Sequence, residues 1–362
     1  VEGLVGRDVF AAFAGKRALI TGDTGFKGSW LSLWLAELGA RVTGLALPAE
    51  PANLLARAVA DAKLVHHVDG DIRDLDTVCR TLAAAQPDFV FHLAAQALLR
   101  RSYAEPQATF ATNLLGSVNV LEAVRRTESV RAVVYITSDK CYLNKERYEP
   151  YREDDELGGS DPYSASKACA ELAFRAYDQS FLGRRRDLGA ASARAGNVIG
   201  GGDRSPDRIV PDTIAALEAG RPVVLRKPDA TRPWQHVLDP LYGYMRLAVA
   251  LTRDPYRFGG AYNFGPDEAA IRTVDDLARA IVRAWGHGEI VHRPDPAAPH
   301  EATLLHLSSA KAQERLGWSA RWGFERAAAE TARWYRAVHD GTSPLAVSRE
   351  QISAYGRELV AA

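Results

Sequence analysis

The sequence predicts a doubly wound α/β fold with a smaller C-terminal lobe, and three observations carry that prediction. Short apolar runs alternate with amphipathic stretches through the first half of the 362-residue chain. This is the pattern of βαβ crossovers and of a parallel sheet covered on both faces. The first apolar run ends in a glycine-rich turn that opens a helix. After Gly196 the alternation is broken by Gly200-Gly201-Gly202 and by a run of prolines from Pro206 to Pro233. The expected division is therefore residues 1–195 and residues 196–362, with late strands able to return to the main sheet.

Each element has its own reason. Arg17-Ala-Leu-Ile-Thr21 is a short apolar run, as a strand buried on both faces should be. From Lys27 to Leu38, apolar residues at 30, 31, 33, 34, 35 and 38 predict a helix, which Gly39 stops. Val42–Leu47, Leu64–Val68, Phe89–Leu93 and Val133–Thr137 are the next predicted strands. Asn53–Asp61, Leu75–Ala85 and Thr109–Arg125 are the helices between them. A helix over Tyr163–Ser180 and a strand over Gly189–Arg194 complete this half. Beyond it the expected elements are helices near Asp212–Ala219, Pro240–Leu251, Val274–Trp285 and Phe324–His339, and a strand near Val223–Arg226.

Composition narrows the function. Hydrophobic residues at 47% and charged residues at 25% describe a globular chain and argue against disorder or fibrous repeats. Lys plus Arg and Asp plus Glu both number 45. A nucleic-acid binder would show a basic excess, so an anionic ligand must be met by local groups. Cys79, Cys141 and Cys169 lack zinc-like spacing, as do His66 and His67, so no metal is expected and the thiols suit a reducing cytoplasm. No apolar run approaches the ~18 residues of a membrane span, and no signal-peptide pattern is present.

Thr21-Gly22-Asp23-Thr24-Gly25-Phe26-Lys27-Gly28 joins the first strand to the first helix. A dinucleotide site of the Rossmann type needs a tight turn, a backbone that can touch a pyrophosphate, and close helix–strand packing, and glycine serves all three. The helix N-terminus adds unpaired N–H groups and a partial positive charge. The second strand normally brings an acid for the adenosine ribose about 20 residues further on. Here it ends Gly44-Leu45-Ala46-Leu47-Pro48, with neither an acid nor an arginine, so this position does not choose between NAD and NADP. Asp71-Ile72, after the third strand, can hydrogen-bond and pack an adenine, or Asp71 can simply cap a helix.

Tyr163 and Lys167 lie four residues apart, on one face of a helix. A nearby ammonium, together with a nicotinamide's charge, would lower the phenol from ~10 toward neutrality and let it take an alcohol proton during hydride transfer. Such a pair is common by chance. Following a glycine fingerprint and a series of βα units, it carries weight.

Together these motifs resemble an extended short-chain dehydrogenase/reductase acting on nucleotide sugars. Residues 21–30 (Thr-Gly-Asp-Thr-Gly-Phe-Lys-Gly-Ser-Trp), Thr137-Ser-Asp-Lys-Cys-Tyr142, Asp161-Pro-Tyr-Ser-Ala-Ser-Lys-Ala168 and Arg194-Ala-Gly-Asn-Val-Ile-Gly-Gly-Gly-Asp203 are similar to the CDP-glucose 4,6-dehydratases over nearly the whole chain. The resemblance implies NAD held by Gly22, Thr24, Gly25, Phe26, Gly28, Asp71, Ile72, Leu93, Ala94, Ala95, Tyr163 and Lys167. It implies catalysis by Ser138, Asp139, Lys140, Tyr163 and Lys167, with Asp139 as acid for the departing C6 hydroxyl. Ser138 would bond the C4 oxygen. Lys140 stands as base at C5, as a cation beside the enolate, or as a group orienting Tyr163. A CDP-hexose would be held by Gln96, Arg101, Asn197, Arg208, Arg232, Trp234 and His300. The resemblance also implies a homodimer built on Thr109–Arg125 and Tyr163–Ser180, with Leu114, Leu115, Val118, Leu121, Leu172 and Phe174 as its candidate face.

Two residues depart from the pattern. Arg204 stands where tryptophan is usual. Asp23 replaces a histidine, which would weaken phosphate binding unless its carboxylate points away. A nucleotide-sugar 4-epimerase would keep Tyr163 but has no need of Asp139-Lys140, and a non-catalytic dinucleotide sensor has no need of Tyr163 and Lys167 together.

Overall fold

A computed structural model of the chain describes residues 6–293 and 304–361. Six strands of the first half, β1 (Arg17–Thr21), β2 (Arg41–Ala46), β3 (His66–Asp69), β4 (Phe89–His92), β5 (Ala132–Ile136) and β6 (Gly189–Arg194), join a late strand β7 (Gly260–Asn263). They form one sheet in the order β7-β6-β5-β4-β1-β2-β3. Every neighbouring pair is parallel. The order reverses between β1 and β4, and a crevice at the carboxyl ends of these strands is where open α/β sheets bind ligands.

Alternation along β1 divides the interior. Ala18 and Ile20 join a core that includes Trp30, Trp34, Trp285, Trp318, Trp322 and Trp334. Leu19, between them, joins a second core with Leu45, Val120, Val133 and Phe174. Successive side chains on a strand point to opposite faces, so both faces of the sheet are covered. The helix Leu238–Arg253 contributes Leu241, Leu247 and Leu251 to the first core, all fully buried. The sheet thus draws on residues from both sides of Gly196. Beyond the main sheet, Val198–Ile199 pairs with Gln235–His236, Thr231–Pro233 with Ile271–Thr273, and Val223–Leu225 with Ile290–His292. The Trp30 indole donates to the Gly201 carbonyl at 2.8 Å, tying the helix Phe26–Glu37 to the glycine run.

The predicted elements are present, with ends displaced by a few residues. Short helices at Gly6–Ala11, Leu99–Ala104 and Ala310–Leu316 were not expected, and two larger features differ. The stretch expected as one helix over Thr109–Arg125 begins at Pro106, passes through π-helical turns over Ala111–Gly116 and continues as Ser117–Arg126. The C-terminal helix Pro344–Ala361 was not anticipated, its apolar periodicity being diluted by polar residues and Gly356. Of the proposed dimer face, Leu121 and Phe174 are instead buried in the protein's own second core. Leu115 and Leu172 are exposed. Among the described residues, no helix is long and apolar enough to cross a membrane, and no His/Cys/Asp/Glu group could hold a metal ion.

Candidate active site

The glycine turn sits at the exit of β1, where close packing sets its composition. Gly22 has φ +79°, and a Cβ there would lie 2.8 Å from the Ala94 backbone. A Cβ on Gly28 would lie 1.9 Å from the Gly22 carbonyl oxygen. The helix Phe26–Glu37 begins at Gly25 with no side-chain cap, so its first N–H groups face outward from the turn. Leu93 N–H donates to the Thr21 carbonyl at 3.1 Å, and Ala94 N–H to the Thr21 hydroxyl at 3.3 Å. The Thr24 hydroxyl donates to the Leu47 carbonyl at 2.9 Å, and Asn53 donates to the Thr24 carbonyl at 2.7 Å. These contacts gather the glycines, Thr24, Phe26, Leu93 and Ala94 around one crevice that fits a dinucleotide pyrophosphate. At its far end Asp71 is engaged with Arg73, at 2.9 and 2.5 Å, while Ile72 is buried beside Gly116. Asp23 turns away from the helix N-terminus and accepts from His67 Nδ1 at 2.7 Å.

The candidate catalytic side chains converge from three elements. Leaving β5, the Ser138 hydroxyl donates to Asp139 Oδ1 at 2.8 Å and accepts from the Lys140 N–H at 3.2 Å. The Tyr163 phenol, brought in by the helix Pro162–Ser180, comes within reach of the Ser138 hydroxyl. Asp139 is 3% exposed, and a Cβ on Gly196 would lie 2.1 Å from its carboxylate. Asn197, in the left-handed region at φ +52°, approaches Asp139 Oδ2 to 3.5 Å. Tyr163, Ser138 and Asp139 are therefore contiguous, as a shared bound sugar requires. The expected lowering of the phenol is reversed in the protein alone: burial pushes Tyr163 up to about 12, against the opposing pull of Ser138 and Arg208. Burial also drives the Lys167 ammonium down to about 8, with Cys141 and Glu171 pulling the other way.

Three supports escaped the sequence reading. Lys27, in the first turn of its helix, is pushed down to about 8 by burial and by Arg208, with Asp139 opposing. A lysine at a helix N-terminus works against the helix dipole, and that was the available signal. Beneath the Ser138 turn, Glu171 accepts from Arg194 at 2.7 Å and Ser192 at 2.9 Å, and also from Thr137. Burial raises the Glu171 carboxyl, but Arg194 and the two hydroxyls outweigh it and hold the group low. Asn113, in the π-helical turns, donates to the Gln96 carbonyl and the Ser166 hydroxyl at 2.9 Å each, joining the β4 exit to the Tyr163 helix. Irregular π turns of this kind recur at functional sites.

The expected sugar-nucleotide contacts fare unevenly. Arg208 bonds Asp203 at 2.9 Å and the Ala97 carbonyl at 3.3 Å, and its charge reaches Tyr163. Arg232 is 8% exposed, donating to the Thr231 carbonyl at 2.7 Å. Trp234 corrects the expectation. Its ring belongs to the first core and its indole donates to the Arg272 carbonyl at 3.1 Å. Arg101 is likewise turned to solvent, paired with Glu105 at 3.1 Å, while its neighbour Arg100 reaches Asp207 at 3.2 Å. Gln96 spends its amide on Leu98 and Thr109, so it braces the loop rather than facing a sugar. Arg204 forms a two-pronged pair with Glu218, 2.7 Å at each contact, over the Tyr335 ring. His300 lies outside the described residues.

Comparison with known proteins decides among the families this geometry admits. The sequence model of the GDP-mannose 4,6 dehydratase family matches residues 19–331. The chain belongs to this family. A CDP-glucose 4,6-dehydratase of Salmonella typhimurium is 44% identical over 345 residues, covering 94% of this chain and 96% of that protein. Among solved structures, a UDP-glucose 4-epimerase of Thermus thermophilus in complex with NAD superimposes with a TM-score of 0.74. That match has 29% identity and covers 88% of this chain and 99% of that one. A dTDP-glucose 4,6-dehydratase of Streptomyces venezuelae with NAD bound, 25% identical, gives a TM-score of 0.74 and covers 91% of this chain and 99% of that one. The glycine turn, the Tyr163 helix and the Ser138-Asp139-Lys140 exit all lie within the residues that match the family.

Proposed function

We propose that the protein converts CDP-glucose to CDP-4-keto-6-deoxyglucose and water, with NAD as a cofactor restored within each turnover. The observation that carries this reading is the Tyr163–Ser138–Asp139 contact, which sets a proton acceptor and a proton donor side by side. When bound, NAD supplies the redox chemistry: a hydride acceptor for C4 and, after water has left, a hydride donor for C6. Tyr163 takes the C4 hydroxyl proton, with Ser138 holding the same oxygen. Positive charge near the phenol must outweigh its burial, and Arg208 already acts in that direction. Oxidation at C4 acidifies the C5 hydrogen, which Lys140 removes as the neutral amine and returns to C5 once C6 has been reduced. Asp139 protonates the C6 hydroxyl as it departs, its carboxylate aimed by Ser138 and Asn197. Arg208, Arg232 and Asn197 meet the diphosphate and nucleotide. An epimerase reduces C4 again and needs no acid at C6, so the built position of Asp139 favours elimination.

We further assign the protein to a reducing cytoplasm, which its three free thiols suit. We assign it to a homodimer, for which Leu115 and Leu172, 60% and 45% exposed on adjoining helices, are the natural seam. Incubation with NAD and each of CDP-, dTDP-, GDP- and UDP-glucose tests the reaction. CDP-glucose is expected to yield a sugar nucleotide lighter by one water in mass spectrometry. A product of unchanged mass, epimerised at C4, would overturn the proposal.

A further inference from the structure

A dinucleotide site needs an acceptor for the hydroxyls of the adenosine ribose, which commonly comes from the end of the second strand. Here β2 ends in Ala46 and Leu47, and neither can serve. A carboxylate nonetheless stands on β2, delivered from the glycine turn. An ideal Cβ on Gly44 would lie 2.1 Å from both Cγ and Oδ2 of Asp23, so this carboxylate fills the volume that a β2 side chain would take. Asp23 is only 7% exposed. Its Oδ2 accepts from His67 Nδ1 at 2.7 Å, and the other ring nitrogen of His67 is held by Asp69 at 2.9 Å. Its Oδ1 is buried with no hydrogen-bond partner. An unsatisfied buried acceptor is costly, a cost removed when a ligand arrives with a donor.

We propose that Asp23 is the cofactor-selecting residue: its spare oxygen accepts from the ribose hydroxyls of NAD, and its charge turns away the 2′-phosphate of NADP. The pairing with His67 supports the anionic form. Burial leaves the Asp23 carboxyl above its ordinary value, with the His67 hydrogen bond and charge pulling it back, while the hydrogen bonds and charges of Asp23 and Asp69 raise His67 despite its own burial. Arg73, the cation beside Asp71 on the loop after β3, is committed to that carboxylate and offers a 2′-phosphate little. The departure from histidine at position 23 thereby becomes a functional substitution, since a histidine there could not repel a 2′-phosphate.

This inference rests on reading the glycine turn as a dinucleotide site and not on the sugar chemistry. It is tested by calorimetric titration of NAD and of NADP into the protein without sugar nucleotide. The wild type is expected to bind NAD about 10- to 100-fold more tightly than NADP, the worth of a hydrogen bond to a charged group. In Asp23→Asn, which keeps the shape of the side chain, the ratio should fall to within a few-fold, with NADP gaining as NAD loses. His67→Gln removes the neutralising partner and should widen the ratio through poorer NADP binding. A ratio in Asp23→Asn equal to that of the wild type would overturn the assignment, as would a wild type that binds both cofactors alike. Absence of any dinucleotide binding would reject the reading of the turn itself, whereas failure to dehydrate CDP-glucose would leave these ratios standing.

Discussion

Tyr163 shows how far a single residue's chemistry depends on its surroundings. The protein alone holds its phenol at about 12, above the ordinary value, because burial penalises the anion. The proposed role as base requires opposing positive charge, and Arg208 already acts on the phenol in that direction. Tyr163→Phe should lower kcat by about 10²- to 10⁴-fold, the usual worth of a general base, and leave NAD affinity nearly unchanged in titration. Full turnover in that variant would remove Tyr163 from the chemistry. Asp239 gives a second test at this scale. It is fully buried, accepts from the Arg321 N–H at 2.6 Å and the Tyr355 hydroxyl at 2.7 Å, and burial pushes it up to about 6. Its folded form therefore holds a proton that the unfolded chain releases near pH 4, so this group's contribution to stability falls as pH rises from about 4 to 6. The loss amounts to roughly 3 kcal/mol. Asp239→Asn should be the more stable form at pH 7 in urea unfolding, with the gap closing toward pH 4. A gap that does not change with pH would contradict the assignment.

Among the elements, the exit of β5 and the Tyr163 helix are coupled by one buried network. Glu171 on the helix pairs with Arg194 at the end of β6, and both are nearly inaccessible to solvent. Arg194 also donates to the Tyr142 hydroxyl at 2.6 Å, which in turn donates to Asn263 on β7 at 2.8 Å. Removing one partner of such a pair strands the other charge, and Glu171→Gln should cost about 3–5 kcal/mol, read from its chemical denaturation curve. An unchanged midpoint would show that the pair does not hold these elements together. The elements themselves were readable because a parallel strand buried on both faces appears as an unbroken apolar run, as in Phe89–His92 and Ala132–Ile136. The π-helical turns were not, since Ala111–Gly116 has nothing in its composition to separate it from an ordinary helix.

Across the whole molecule, the sheet is completed by residues far apart in the chain: β7 pairs with β6 from beyond residue 259. The exposed Leu115 and Leu172 project from the helices that carry Asn113 and Tyr163. Replacing both with glutamate should yield a monomer in sedimentation equilibrium with its thermal midpoint little altered. A variant that still sediments as the wild type would place the self-association surface elsewhere.

Local chemistry was enough to read the winding of the sheet, the glycine turn after β1 and the helix that carries both Tyr163 and Lys167, because each depends on spacing within a few residues. Packing settled the rest. Trp234 went into the core and not to a ligand, since an aromatic ring suits either place equally well until its neighbours are known. Arg101 went to solvent while Arg100 crossed to Asp207, a choice that helix phase makes and composition does not. Asp23 found His67, Asp139 found Asn197 and Glu171 found Arg194 across separations of 23 to 58 residues. Contacts at that range come from chain crossings, and no window along the sequence contains both partners.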